Sequence, residues 1–181
     1  MKELSLHILD IAQNSVRANA SKIIINISEN IKKNIFQFSI KDNGSGIESD
    51  IFKNIKNPFT TTRTTRKVGL GIPFLNDTCR LCNGNLLIET EIGKGTYLEA
   101  TMEYNNIDRP PLGNIVSTVV GLVISNEKIH FVYIHKYNEK TFEFDVNTIK
   151  EILDGIPLTD FKVIEWLENY LTENVIQLKI K

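Results

Sequence analysis

The chain has 181 residues, 41% hydrophobic and 24% charged, with a net charge of −1. That is one domain of ordinary size, or one with a small appendage, around a real core. The near-neutral balance excludes a general nucleic-acid or anionic-membrane surface. No run of about 18 apolar residues is present to span a bilayer, and the polar start MKELSLHILDIAQNSVRANAS is not a secretory leader. The expected location is the cytoplasm.

In chain order, residues 4–19 place Leu4, Ile8, Ile11, Ala12, Ser15 and Val16 on one face at helical spacing. KIIINIS (22–28) and IFQFSIK (35–41) read as paired strands across the polar ENIKKN, and the second runs into the turn DNGSGI. ESDIFKNI (48–55) predicts a short helix capped near Glu48 or Ser49. Residues 57–68, NPFTTTRTTRKV, lack periodicity and read as a mobile loop. GIPFLNDTCRLCN (71–83) predicts a helix with Pro73 in its first turn and Gly84 just past its end. NLLIETEI and TYLEATMEY flank GKG as a hairpin. NNIDRPPLGN (105–114) reads as a seam, giving an expected division into 1–106 and 107–181. Beyond it IVSTVVGLVIS, KIHFVYIHK and KTFEFDV read as a β part. Helices are expected from near Asn147 and from Thr159 or Asp160, which makes the tail a small β-then-α unit.

Asp10 and Asn14 are four residues apart and share a helix face. A carboxylate there can orient a water or accept a proton, and an amide oxygen suits Mg²⁺. Taken alone, such a pair is more commonly a solvated polar stripe. Asp42, at a strand end before Gly44 and Gly46, can present an acceptor to a ligand N–H where backbone approaches closely; a tight turn with an Asx cap explains it as well. Gly69-Leu70-Gly71 opens a helix whose N–H groups suit phosphate, with Arg63, Arg66 and Lys67 upstream. Thr96 closes GKGT in the hairpin.

Taken together, DIAQN (10–14) continuing as SVRANAS, DNGSGI, VGLGI and GKGT agree in type, order and spacing. The chain resembles the GHKL superfamily of ATP-binding proteins: gyrase B, heat-shock chaperones, histidine kinases and MutL. The resemblance covers roughly residues 4–103. It implies a Bergerat-type α/β sandwich, with helices on one face of a mixed sheet and a small C-terminal β/α appendage. It also implies ATP and Mg²⁺ as ligands. The nucleotide-binding set carried over is Asn14, Asp42, Gly44, Gly46, Ile47, Thr61, Arg66, Lys67, Val68, Gly69, Leu70, Gly71 and Thr96. Asp42 would bind the adenine amino group with Thr96 and a water, Asn14 would coordinate Mg²⁺, and 57–68 would be the ATP lid. Asp10 stands where the ATPases and anti-sigma serine kinases carry a catalytic Glu; it is one methylene shorter.

The resemblance points to an ATPase or protein kinase of the anti-sigma type acting on a protein partner. The alternatives are an ATP-gated interaction module, possible as a homodimer, and a redox-linked regulator using Cys79 and Cys82. The latter pair has C-x-x-C spacing but offers only two of four metal ligands. A first helix starting near residue 4 leaves no phosphoacceptor hairpin ahead of it, and the tail is too short for a gyrase-like transducer domain. His7, one turn before Asp10, is compatible with a phosphoacceptor, an acid–base group or a structural side chain. His130 and His135 are five apart in an expected strand, so they face opposite sides and share no metal. IDRPPLG (107–113) resembles the end segment of small stand-alone bacterial ATP-binding proteins.

Overall fold

The computed structural model describes residues 2–55 and 71–180. The chain runs α1 (Leu4–Arg17), β1 (Lys22–Asn30), β2 (Ile35–Asp42), α2 (Ser49–Phe52), α3 (Gly71–Leu81), β3 (Asn85–Glu91) and β4 (Gly95–Glu103). It continues with α4 (Ile115–Ser125), β5 (His130–Tyr137), β6 (Lys140–Asp145), α5 (Val146–Leu153) and α6 (Phe161–Lys179). Among the described residues the strands form one six-stranded mixed sheet in the order β3-β4-β2-β1-β5-β6. The β1–β5 pair is parallel and the others are antiparallel.

Strand alternation sorts the two faces. In β1 the buried Ile23, Ile25 and Ile27 alternate with half-buried Ile24, Asn26 and Ser28. The register carries the buried rows across the sheet. One row is Ile88, Leu98, Ile40, Ile25, Tyr133 and Phe144. Helices α1, α3, α4 and α6 pack with one another and with this sheet to enclose the core.

The apolar run 115–125 is a helix, not the strand expected from its β-branched content. Ile115, Thr118, Val119, Leu122 and Val123 are buried at i, i+3, i+4, i+7 and i+8, and the Asn114 side chain caps the Ser117 N–H at 3.0 Å. The helical spacing was present in the sequence, but single-residue propensity pointed the other way. The tail is therefore not β-then-α: it contributes α4, two strands of the common sheet, then α5 and α6.

The proline-rich seam is bound to the rest of the molecule. Glu3 gives α1 no side-chain cap. The Leu4 and Ser5 N–H groups instead donate to the Pro111 and Leu112 carbonyls at 2.9 and 2.8 Å. Arg109 lies over the Phe36 and Tyr104 rings, 5.0 and 4.8 Å from their centroids, and donates to the Tyr104 carbonyl.

At the far end of β1 a buried polar chain joins the tail to the first strands. Glu29, 4% exposed, accepts from His135 at 2.9 Å and from Lys179 of α6 at 2.8 Å. His135 is fully buried, and its other nitrogen lies 2.7 Å from the Tyr133 hydroxyl. The Nε2–H tautomer satisfies both contacts, with Tyr133 donating to Nδ1 and Nε2–H donating to Glu29. Burial pushes the Glu29 carboxyl up. The hydrogen bonds from His135 and Lys179 outweigh it, so the group sits below the usual glutamate range.

Candidate nucleotide-binding site

The opposite end of the sheet holds a cavity of about 450 Å³, within the usual range for a small-molecule site. Its apolar wall is Ile11, Ile40, Ile72, Ile88 and Leu98, and Asn14, Asp42 and Thr96 add polar groups. α1 supplies Asn14, the end of β2 supplies Asp42, and the start of β4 supplies Thr96.

Asp42 is 8% exposed, and among the described residues its partners are neutral donors. Its Oδ1 accepts from the Gly44 N–H at 2.9 Å and the Thr96 N–H at 3.2 Å; its Oδ2 accepts from the Ser15 hydroxyl at 2.6 Å. A carboxylate has about four acceptor positions, so acceptor capacity remains on the wall of the cavity. Glycines make the convergence possible. A Cβ on Gly95, at φ +112°, would lie 2.0 Å from the Asp42 carbonyl oxygen, and one on Gly46, at φ +73°, would lie 2.4 Å from the Glu91 carbonyl oxygen.

Of the expected nucleotide-binding residues, Asn14, Asp42, Gly46, Ile47 and Thr96 line the cavity. Gly44 contributes through its N–H to Asp42. Thr96 reaches Asp42 through its backbone, while its hydroxyl pairs with Thr90 at 3.2 Å. Thr61, Arg66, Lys67, Val68, Gly69 and Leu70, with the expected lid 57–68, lie outside the described residues. Gly71 opens α3 and meets Asp10: a Cβ there would sit 1.7 Å from the Asp10 Oδ2. Asp10 is thus pressed against the start of α3 rather than placed on the cavity wall.

Ser15 and Arg17 were missed. Ser15 orients Asp42, and Arg17 lines the cavity and donates to the Asn14 Oδ1 at 2.9 Å. The available signal was their position: both follow Asn14 within one helical turn. Asn14 offers one hard oxygen. Among the described residues no group of three or more His, Cys, Asp or Glu is placed to hold a metal. The Asn14 amide oxygen is a donor of the type Mg²⁺ takes, with water and phosphate completing the shell. The Arg17 guanidinium then has to share or leave that oxygen.

Cys79 and Cys82 form no disulfide and are fully buried, and burial raises the Cys82 thiol above its usual range. Reactive thiols are depressed and accessible, so this pair has the character of core packing. His130 lies 2.9 Å from both Asp145 oxygens, away from buried His135, and the two histidines share no ligand. Among the described residues no helix is long and apolar enough to cross a membrane.

A sheet under a helical layer, with an acidic acceptor at a strand end beside a cavity, is an α/β sandwich with a candidate ligand site. Residues 2–106 match the family described as histidine kinase-, DNA gyrase B- and HSP90-like ATPases, and the chain belongs to this family. It carries the ATP-binding domain of that class. It is 31% identical over 80 residues to sensor kinase CckA of Brucella abortus (strain 2308), covering 41% of this chain and 8% of that protein. It is 29% identical over 94 residues to sporulation kinase C of Bacillus subtilis (strain 168), covering 52% of this chain and 22% of that one. A sensor protein of Shewanella frigidimarina (strain NCIMB 400) is 32% identical over 99 residues, of which the match spans 15%. The chain therefore spans less than a quarter of each of these relatives. The N-terminal domain of a DNA repair protein shares the fold, with a TM-score of 0.56 at 16% identity over 81% of this chain and 52% of that one.

Proposed function

We propose that the protein is a Mg²⁺-dependent ATP-binding regulator that acts on a protein partner in signal transduction. The observation that carries this reading is Asp42: a buried carboxylate with no cationic partner among the described residues, positioned by Ser15, Gly44 and Thr96, with an acceptor left for the exocyclic amine of adenine. Asn14 would hold Mg²⁺, which when bound neutralises phosphate charge. Arg17 reaches the same region and supplies a phosphate contact once it releases Asn14. The family pattern assigns phosphate contacts to Thr61, Arg66, Lys67 and Gly69-Leu70-Gly71. In the kinase form of this reading Asp10 is the base toward a partner hydroxyl, as in the anti-sigma type.

A second reading is favoured by one specific observation. Asp10 is packed against Gly71 and does not line the cavity. An ATP-gated interaction module, in which bound nucleotide selects the partner-binding conformation without turnover, fits that placement. Phosphate release and transfer from γ-labelled ATP, in the wild type and Asp10→Asn with and without co-purified partner, separate the two. Labelled partner or released phosphate that Asp10→Asn abolishes supports the kinase or ATPase. Nucleotide-dependent complex formation with no release supports the module.

A further inference from the structure

The turn that joins α5 to α6 has no part in the site above, and it carries apolar side chains into water. Ile152, Ile156 and Phe161 are 66, 53 and 78% exposed there. The turn is firmly held, so this exposure is not slack in a loop. Asp154 ends α5 in the left-handed region at φ 45°. The Ile156 N–H donates to the Leu153 carbonyl and the Asp160 N–H to the Pro157 carbonyl, both at 3.1 Å. The Asp160 side chain then accepts from the Lys162 N–H at 2.9 Å and caps α6. Leu158, 2% exposed, anchors the turn in the core between Ile156 and Phe161, which stay outside it. One exposed apolar residue is ordinary, but several fixed on one rigid corner mark an interaction site.

Charge says what kind of partner fits. Between residues 150 and 168 stand five acids, Glu151, Asp154, Asp160, Glu165 and Glu168, and two lysines, Lys150 and Lys162. That leaves −3 on this corner in a chain whose total is −1, so the acidic excess is local. All five acids are exposed. Among the described residues no ion pair holds Glu151, Asp154, Glu165 or Glu168. Lys150 is turned to the Glu127 carbonyl. At 3.6 residues per turn, Glu165 and Glu168 fall within about 40° of Phe161 on α6, so they rim it. A rim of this sign repels nucleic-acid phosphates and anionic lipid. It also repels a second copy of the same corner, because a two-fold contact sets acids against acids. What complements it is an apolar centre with a basic rim. A helix–turn–helix corner offers no strand edge to extend, whereas a helix can lay an apolar stripe on it.

We propose that the α5–α6 corner is a docking surface for a partner protein that presents a basic amphipathic helix. The apolar stripe of that helix covers Ile152, Ile156 and Phe161, and its lysines or arginines face Glu151, Asp154, Glu165 and Glu168. The proposal rests on the reading of the chain as a regulator of a protein partner and names the docking face. It makes no use of Asp42 or the cavity, so the nucleotide site and this surface can fail separately.

The test is fluorescence anisotropy of a labelled leucine–lysine peptide of about five helical turns, its leucines at helical spacing, titrated with the full chain. Two peptides serve as controls: the same pattern with glutamate for lysine, and a scrambled leucine–lysine sequence that keeps the charge and loses the stripe. The expected result is saturable binding of the striped peptide and at least roughly tenfold weaker binding of both controls. Phe161→Ser, and the pair Glu165→Lys with Glu168→Lys, each weaken the striped peptide roughly tenfold. Glu139→Lys, which reverses an exposed acid outside the corner, changes it by less than about twofold. These surface variants keep the wild-type melting temperature and ATP binding. No binding of the striped peptide overturns the proposal. Equal binding of the scrambled peptide, or an equal loss in Glu139→Lys, does so by leaving bulk charge alone. A dimer in sedimentation that Phe161→Ser dissolves also overturns it, because the occupant is then a second copy. If Phe161→Ser does not fold, the charge-reversed pair decides. Wild type that binds no ATP overturns the reading of the cavity and leaves this surface to stand or fall on the peptide result.

Discussion

Two buried carboxylates occupy the same face of the sheet at opposite ends of the β1–β2 ladder, where Asp42 stands opposite Ile23 and Glu29 opposite Phe36. Six residues of strand, about 20 Å, separate the two rows. Both side chains are less than a tenth exposed. Glu29 is closed off by His135 and Lys179, with Tyr133 behind, and its partners come from β5 and α6. Among the described residues Asp42 has two backbone N–H groups and a hydroxyl as partners, with a cavity of about 450 Å³ beside it. The difference teaches that burial of an acid does not define its use. A carboxylate whose partners include a cation from a distant element is a fastening. One positioned by neutral donors beside open volume keeps capacity for a ligand.

The comparison is most sharply broken or sharpened by Glu29→Leu. Losing the carboxylate leaves the fully buried His135 N–H without a partner, and the expected cost is about 2–4 kcal/mol in denaturant unfolding. Part of Lys179 already faces water, which holds the figure below that of a fully buried pair. Nucleotide affinity should stay within about twofold, since the two ends share no partner. Ser15→Ala has the opposite profile. It removes one hydrogen bond to Asp42, and ATP affinity should fall roughly tenfold by calorimetry while the melting temperature changes little.

Acid should weaken the Glu29 end. The folded carboxyl titrates below its unfolded value of 4.5, so its contribution is complete above that value and is lost as pH falls through the folded one. Thermal unfolding between pH 7 and pH 3 should show a steeper loss in wild type than in Glu29→Gln; parallel curves would remove Glu29 from the account. The smallest expected effect concerns the thiols. Cys79 and Cys82 should resist alkylation by iodoacetamide in the native protein and react fully after denaturation. Rapid native labelling that altered nucleotide affinity would restore the redox reading.

The nucleotide end was the more legible of the two because its parts are local. Asp42 and its glycines are one turn of sequence, and Asn14 sits on a helix whose period is plain. Ser15 was not identified because its partner is 27 residues away and a serine beside an apolar face reads as packing. The Glu29 fastening was not visible at all: Glu29 and His135 are 106 residues apart, and only the parallel pairing of β5 with β1 brings them together. α4 was misread for a related reason. Valine and isoleucine favour strands in isolation, and that preference masked the helical spacing of the face that packs on α1 and α6.

The most direct test of the central claim is a calorimetric titration of ATP with Mg²⁺ into the wild type and Asp42→Asn. Asparagine can still accept from Gly44 and Thr96, so the turn should survive, but its amide presents donors where the adenine amine needs an acceptor. The account predicts stoichiometric binding by the wild type and at least a hundredfold loss in the variant at an unchanged melting temperature. Equal affinity in the two proteins, or no binding by the wild type, would contradict it.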